Sequence, residues 1–387
     1  MRGLLLHGNT EHSAALRHEL PIAIIDPILF AEVDGRRYVL TSHLEADRVT
    51  RALPDADLLD YLRLGFRDFV QQGMHWAEAG RETEARAVKE IGLDEAIVPG
   101  DFPLGLADLL RRDGVVLTVD DAAIGRRRRA KSTAELDGIR AAQAAAHAGM
   151  AAARDVLSRA EPGADGRLEL EGEPLLAEQV REALRAACAE HGAPCPPDVI
   201  GSSVWQGTGH EPGSGPLPAG LPIHVDIWPR HEESACWADM ARTFVVGEPV
   251  AEHAGLIAEL EGLALEALTQ AKESVRPGVT GLELFDATCD LFEAAGYTTH
   301  RTAGDDDGPD GFRHSLGHGV GLEVHEPPWL GMAGREQLVP GDVIAIEPGL
   351  WDSRVGGVTF EDLVLVTETG CDVLTDFPYD LSPATRG

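Results

Sequence analysis

Between His314 and Glu326 the chain reads His-Ser-Leu-Gly-His-Gly-Val-Gly-Leu-Glu-Val-His-Glu, three imidazoles separated largely by small and apolar residues. Carboxylates on apolar strand-like segments flank it: Asp226 and Asp239 before, Glu347 and Glu361 after. One neutral nitrogen donor and four carboxylates make a ligand set for two divalent cations. Two cations about 3.5–4 Å apart can lower the pKa of a shared water toward neutrality and hold both ends of a bond under hydrolysis. An isolated strand carboxylate usually pairs with an arginine, and Arg242 and Arg354 are available. A lone histidine is usually structural. The conjunction of all five is what points to a metal centre.

The segments around these residues explain how they meet. In Leu221-Pro-Ile-His-Val-Asp-Ile-Trp228 alternation puts Ile223, Val225 and Ile227 on one face and His224, Asp226 and Trp228 on the other. The polar stretch Pro229–Ser234 then turns the chain into Ala238–Val246, predicting a hairpin that sets Asp226 beside Asp239. Adjacent aspartates repel unless a positive group lies between them. Glu347 ends an apolar strand before Pro348, and Glu361 is read in the middle of a strand running from Gly357 to Val366.

The rest of the chain supplies the frame. At 387 residues it is long enough for two domains. Ala23–Asp26 and Leu29–Leu40 read as strands, the latter with an Asp34-Gly35 hairpin turn. Leu58–Gln72 has helical spacing, and Val115–Val119 reads as a strand. An α/β domain is therefore expected over 1–128. After the basic run Arg126–Arg129, read as a linker or interface, Ser132-Thr-Ala-Glu135 is a capping box opening an Ala-rich helix that stops near Glu161-Pro-Gly163. A second helix is expected over about 173–190, followed by strands. The order repeats: helix Ala254–Val275, a Pro-Gly stop, the capping box Thr280-Gly-Leu-Glu283, a helix, then strands. This implies a pseudo-symmetric α/β unit over 129–387 whose helices cover a curved antiparallel sheet.

Composition narrows the function. The formal charge is −32 with only three lysines, Lys89, Lys131 and Lys272, a balance that argues against nucleic acid and anionic membranes. No apolar run is long enough to span a bilayer, and the N-terminus lacks signal-peptide features. Five scattered cysteines, with only the loose pair Cys188/Cys195, fit a cytoplasmic location. The acidic loop Asp305–Asp310 has no evident role.

These strings resemble the pita-bread metallopeptidases: methionine aminopeptidase, aminopeptidase P and Xaa-Pro dipeptidase. The matching segments are His-Val-Asp226-Ile, Asp239-Met-Ala-Arg-Thr-Phe, the His314–Glu326 string, Ile-Glu347-Pro-Gly and Phe-Glu361-Asp-Leu-Val. The resemblance implies an α+β pita-bread catalytic domain behind a smaller creatinase-like α/β domain. It implies that Asp226 chelates one metal, His318 and Glu347 the other, and that Asp239 and Glu361 bridge both. It makes His325 a substrate-contacting histidine, His314 a pocket neighbour, and His210 a second substrate contact. The two ions are expected to be manganese, with cobalt or zinc as alternatives. Implied with them are a proline-containing peptide substrate, a homodimer, and cleavage of the Xaa-Pro bond of dipeptides through a metal-bridging hydroxide, with Glu347 handling the proton. Xaa-Pro aminopeptidase activity and a catalytically silent binding relative are the alternatives. The chain departs from the pattern in a longer Asp226–Asp239 hairpin, in Trp228 where glycine is usual, and in Thr359 where proline-specific members often carry arginine.

Overall fold

The computed structural model describes residues 2–207, 211–304 and 308–384. The chain divides into two compact units after Arg128. The first contains a six-stranded sheet in the order Asp57–Asp60, Arg36–Thr41, Ile28–Val33, Arg2–Gly8, Glu95–Val98, Val116–Val119. Ile28–Val33 runs antiparallel to both neighbours; the other pairs are parallel. The Asp34-Gly35 turn takes positive φ at both residues (50° and 77°), the geometry a tight two-residue hairpin needs.

Two local expectations fail here. Ala23–Asp26 is not a strand; pairing begins at Ile28, after Pro27. The helical spacing from Leu58 to Gln72 spans two different elements. Asp57–Asp60 is a strand beside Arg36–Thr41, and the helix covers only Phe66–Gln71, after Gly65 at φ 92°. Sheet pairing, which has no local signature, overrode the apparent period. His75 is structural, its ring accepting from the Ala77 N–H to cap the helix Trp76–Ile91.

The second unit opens with the helix Thr133–Ser158, started by the reciprocal Ser132/Glu135 capping box. Ala142, Ala145, Ala146 and Ala153 are buried, so the small side chains let other elements approach closely. Ala177–Glu190 follows, then a three-stranded antiparallel sheet of Ile200–Ser203, Pro222–Ile227 and Met240–Val245. The second half repeats the order with helices Ala251–Ser274 and Gly281–Ala294, the latter capped by Thr280/Glu283. A five-stranded antiparallel sheet then runs Glu326–Leu330, Gly317–Gly319, Val343–Ile346, Asp362–Val366, Cys371–Val373. Gly349–Asp352 and Gly356–Thr359 form a separate hairpin. Phe285, Phe292, Phe312 and Phe360 lie in the core beneath the long helices.

Glu361 is not in the middle of a strand. It lies in the break between Gly356–Thr359 and Asp362–Val366, where the chain passes from the hairpin into the five-stranded sheet. Its N–H donates to Ala241 O at 3.1 Å, which docks the break onto the neighbouring three-stranded sheet.

Candidate metal centre

The hairpin forms as its alternation demands. Ile223, Val225 and Ile227 are fully buried, and His224 and Asp226 are half-buried on the opposite face. Asp226 stands opposite Ala241, and Asp239 directly precedes the second strand. The longer loop between them is closed by a bridge between Arg230 and Trp237. Because Glu361 docks at Ala241, its carboxylate reaches both aspartates: ligand atoms of Asp226, Asp239 and Glu361 lie within 4.8 Å of one another.

A second group shares Asp239. Its ligand atoms, with those of His318 and His325, also lie within 4.8 Å of one another. His318 is carried by the short strand Gly317–Gly319, buried between two others. Its Nε2 stands 3.7 Å from Asp239 Oδ2 and 3.6 Å from Glu347 Oε1. Its Nδ1 contacts Gly319 O at 3.1 Å. A carbonyl only accepts, so this contact places the proton on Nδ1 and leaves the Nε2 lone pair facing the carboxylates. Glu347, just past the strand Val343–Ile346, is held by its N–H to Leu316 O at 2.9 Å.

Asp226, His318 and Glu361 therefore gather around Asp239; Glu347 belongs to neither group and approaches through His318. His325 lies beside them, its ring edge-on to His318 at 4.2 Å between centroids. His314 belongs to neither group; it is exposed, contacts Ser315 O through Nδ1 at 2.7 Å, and lies against Phe312. His210 and Asp305–Asp307 lie outside the described residues. His224, which is not among the expected ligands, places its Nε2 3.7 Å from Asp226 Oδ2. Its place two residues from Asp226 on the same strand face was the available signal.

The electrostatics are those of a site awaiting positive charge. Burial, and then repulsion from Asp226 and Glu347, raises Asp239 well above the usual carboxylate range. Glu361 is raised the same way, by burial and then by Asp239, Asp226 and Glu347. Burial and Asp226 push Glu347 up to about 8. His318 is pushed down to about 4 by burial and by His325, so it stays neutral. Asp226 Oδ1 is buried with no hydrogen-bond partner among the described residues. Oxygen donors crowded past mutual tolerance, an orphaned carboxylate oxygen and a neutral imidazole with its lone pair inward fit divalent cations.

The profile of metallopeptidase family M24 matches residues 137–368, and the chain belongs to that family. Among its relatives, the Xaa-Pro dipeptidase of Pyrococcus furiosus is 40% identical over 138 residues, 36% of this chain. That alignment spans 35% of the relative's length, well under two thirds of it. The prolidase from Pyrococcus horikoshii OT3 superposes with a TM-score of 0.74 at 22% identity, covering 98% of this chain and 95% of that one. The X-Pro aminopeptidase from Thermotoga maritima MSB8 gives a TM-score of 0.71 at 19% identity, over 98% and 95%. At these identities the likeness establishes the fold, an α+β pita-bread unit preceded in the chain by a smaller N-terminal unit. Family and ligand groups together support use of divalent metal. No helix among the described residues is long and apolar enough to cross a membrane.

Proposed function

We propose that this protein is a metal-dependent peptidase that hydrolyses the Xaa-Pro bond of dipeptides. The observation that carries the reading is that Asp239 belongs to both ligand groups, with Asp226 and Glu361 in one and His318 and His325 in the other. Asp226, Asp239, His318, Glu347 and Glu361 would hold the two ions between them. When bound, the pair of divalent cations supplies Lewis acidity and an activated water. Manganese suits this oxygen-rich set, with cobalt or zinc as alternatives.

The chain's own residues do the rest. Glu347, a carboxylate of the proposed ligand set, would take the proton of the attacking water and return it to the leaving nitrogen. His325, beside His318, donates to the oxyanion that develops on the scissile carbonyl. His210 is a second substrate contact and His314 a neighbour at the pocket. The chain works in the cytoplasm as a homodimer, with domains over 1–128 and 129–387, a division supported by the two compact units.

Proline substrates need a dedicated site because the imide nitrogen carries no hydrogen and the ring fixes φ. The likeness to both a prolidase and an X-Pro aminopeptidase keeps a second reading in play, cleavage of longer Xaa-Pro peptides. A substrate panel with added Mn²⁺, run beside metal analysis, decides between them. Hydrolysis of Ala-Pro and Leu-Pro in preference to Ala-Pro-Ala-type peptides is expected; the reverse order selects the aminopeptidase. Metal-loaded protein inert on every peptide would sink the enzyme reading in favour of a silent relative.

A further inference from the structure

A buried ion pair behind the His318–His325 segment has no part in the ligand set. Lys131, near the start of the second unit, pairs through Nζ with Glu326 Oε1, and the two side chains are 2% and 1% exposed. Glu326 directly follows His325. Its Oε2 accepts from Glu323 N at 3.3 Å, and Gly321 N donates to Glu323 O at 3.0 Å. Gly321 O in turn accepts from Trp237 N at 2.8 Å, in the loop between Asp226 and Asp239. A Cβ on Gly321 would sit 2.7 Å from Glu326 Oε1 and 2.9 Å from Lys131 Nζ, so the pair packs directly on this backbone. The ion pair therefore lies where the opening of the unit and the His325 loop meet, one glycine away from the ligand hairpin.

Residues Val320–His325 belong to no strand or helix, and the pairing register shifts between Gly317 and Gly319. The ladder pairs Glu326 with Gly319 and so fixes the backbone just after His325, while the shape of the loop before it depends on contacts such as these. A buried ion pair adds little net stability compared with apolar residues of the same volume, because desolvation offsets the attraction. What it does supply is direction, since it fixes one carboxylate at one point. We propose that Lys131 is a positioning residue that, through Glu326, holds the His325 imidazole at its place beside His318. The catalytic consequence rests on the role given to His325 under the proposed function; the positional claim does not.

The test variant is Lys131→Met with Glu326→Met, which removes both charges and keeps the volume. Its thermal midpoint and metal content should match wild type, while kcat on Ala-Pro falls by about 100-fold, as for a misplaced catalytic group, with KM little changed. In a His325→Ala background the same pair of changes should lower kcat no further, because both act through one group. Wild-type kcat in the double variant, or losses that add fully on His325→Ala, overturns the proposal. A readout independent of turnover separates it from the peptidase reading. With ring-labelled histidine, the His325 resonance, assigned by its loss in His325→Ala, should shift or broaden in the double variant; an unmoved resonance overturns the proposal even if no peptide is cleaved. Glu326→Gln, with the same expected signs, serves if the double variant does not fold.

Discussion

The second unit buries two kinds of carboxylate, and the contrast between them defines the protein. In the rim, each carboxylate has a cation from the chain. Asp342, fully buried, is held by Arg129 at 2.9 and 2.5 Å. Asp362, also fully buried, takes Arg242 at 2.9 Å, Lys272 at 2.5 Å and the Tyr379 hydroxyl at 2.5 Å. Glu326 takes Lys131. At the centre, Asp239 and Glu361 are buried and Glu347 is half-buried, yet among the described residues only the neutral His318 approaches any of them at ion-pair distance. A chain with three lysines places two of them in the rim. The separation is sharpest at Glu361 and Asp362, adjacent in sequence. Arg242 donates to the Glu361 backbone carbonyl at 2.5 Å but directs its ion pair to Asp362. The fold neutralises its structural carboxylates internally and leaves the central ones to an external cation.

The largest expected effect breaks the centre. Glu361→Ala or His318→Ala should lower peptide hydrolysis by roughly three orders of magnitude or more, with loss of bound metal. The same Glu361→Ala change should leave the metal-free protein as stable as wild type, or more so, because it removes a buried carboxyl crowded by Asp239, Asp226 and Glu347. Activity, metal content and denaturant midpoints measured on one preparation check both halves. Near-normal turnover in either variant would remove that residue from the ligand set.

The rim should respond in the opposite sense. Asp342→Ala or Asp362→Ala strands a buried guanidinium and should lower unfolding stability by about 3–5 kcal/mol with or without metal. Chemical denaturation in EDTA and in Mn²⁺ measures this. A loss confined to the metal-loaded form would show that these residues serve the centre rather than the frame.

The same contrast sets what was legible before the structure. Carboxylates inside apolar segments are conspicuous because burial without a partner is so unfavourable, and Asp226, Asp239 and Glu347 stand out for that reason. Capping boxes at Ser132 and Thr280 marked their helix starts because the signal is local. Lys131 and Glu326 lie 195 residues apart, with nothing in either neighbourhood to announce the other. The break at Glu361 was hidden because Val358, Phe360 and Leu363 are buried on both sides of it, so apolar character runs unbroken through the change of sheet. The strand at Asp57–Asp60 has no local signature, because its partner, not its pattern, makes it a strand.

A pH experiment sharpens the comparison with a smaller effect. In the metal-free fold Asp239, Glu361 and Glu347 are raised, Glu347 to about 8, whereas an unfolded glutamate titrates near 4.3. Across that window the folded state binds more protons than the unfolded state, so the slope of stability with pH is negative. The metal-free protein should lose stability as pH rises from about 5 to 8. Bound cations take the place of those protons, so Mn²⁺ should abolish or reverse the slope. Thermal midpoints in EDTA and in Mn²⁺ across this range test it; parallel curves would mean that the centre does not bind metal.

The smallest expected effect concerns the edge of the site. The resemblance makes His314 a pocket neighbour, but its ring is exposed, contacts Ser315 O and Phe312, and belongs to neither ligand group. A group that touches substrate without touching the ions contributes about one neutral hydrogen bond, on the order of 0.5–1.5 kcal/mol. His314→Ala should therefore raise KM by about two- to tenfold, leave kcat and metal content close to wild type, and leave the pH dependence of stability unaltered. Separate determination of kcat and KM on Ala-Pro decides it. A fall in kcat accompanied by metal loss would move His314 inward and enlarge the centre. No change in either constant would place it with the surface, leaving His325 as the one histidine of the described segment that works on substrate.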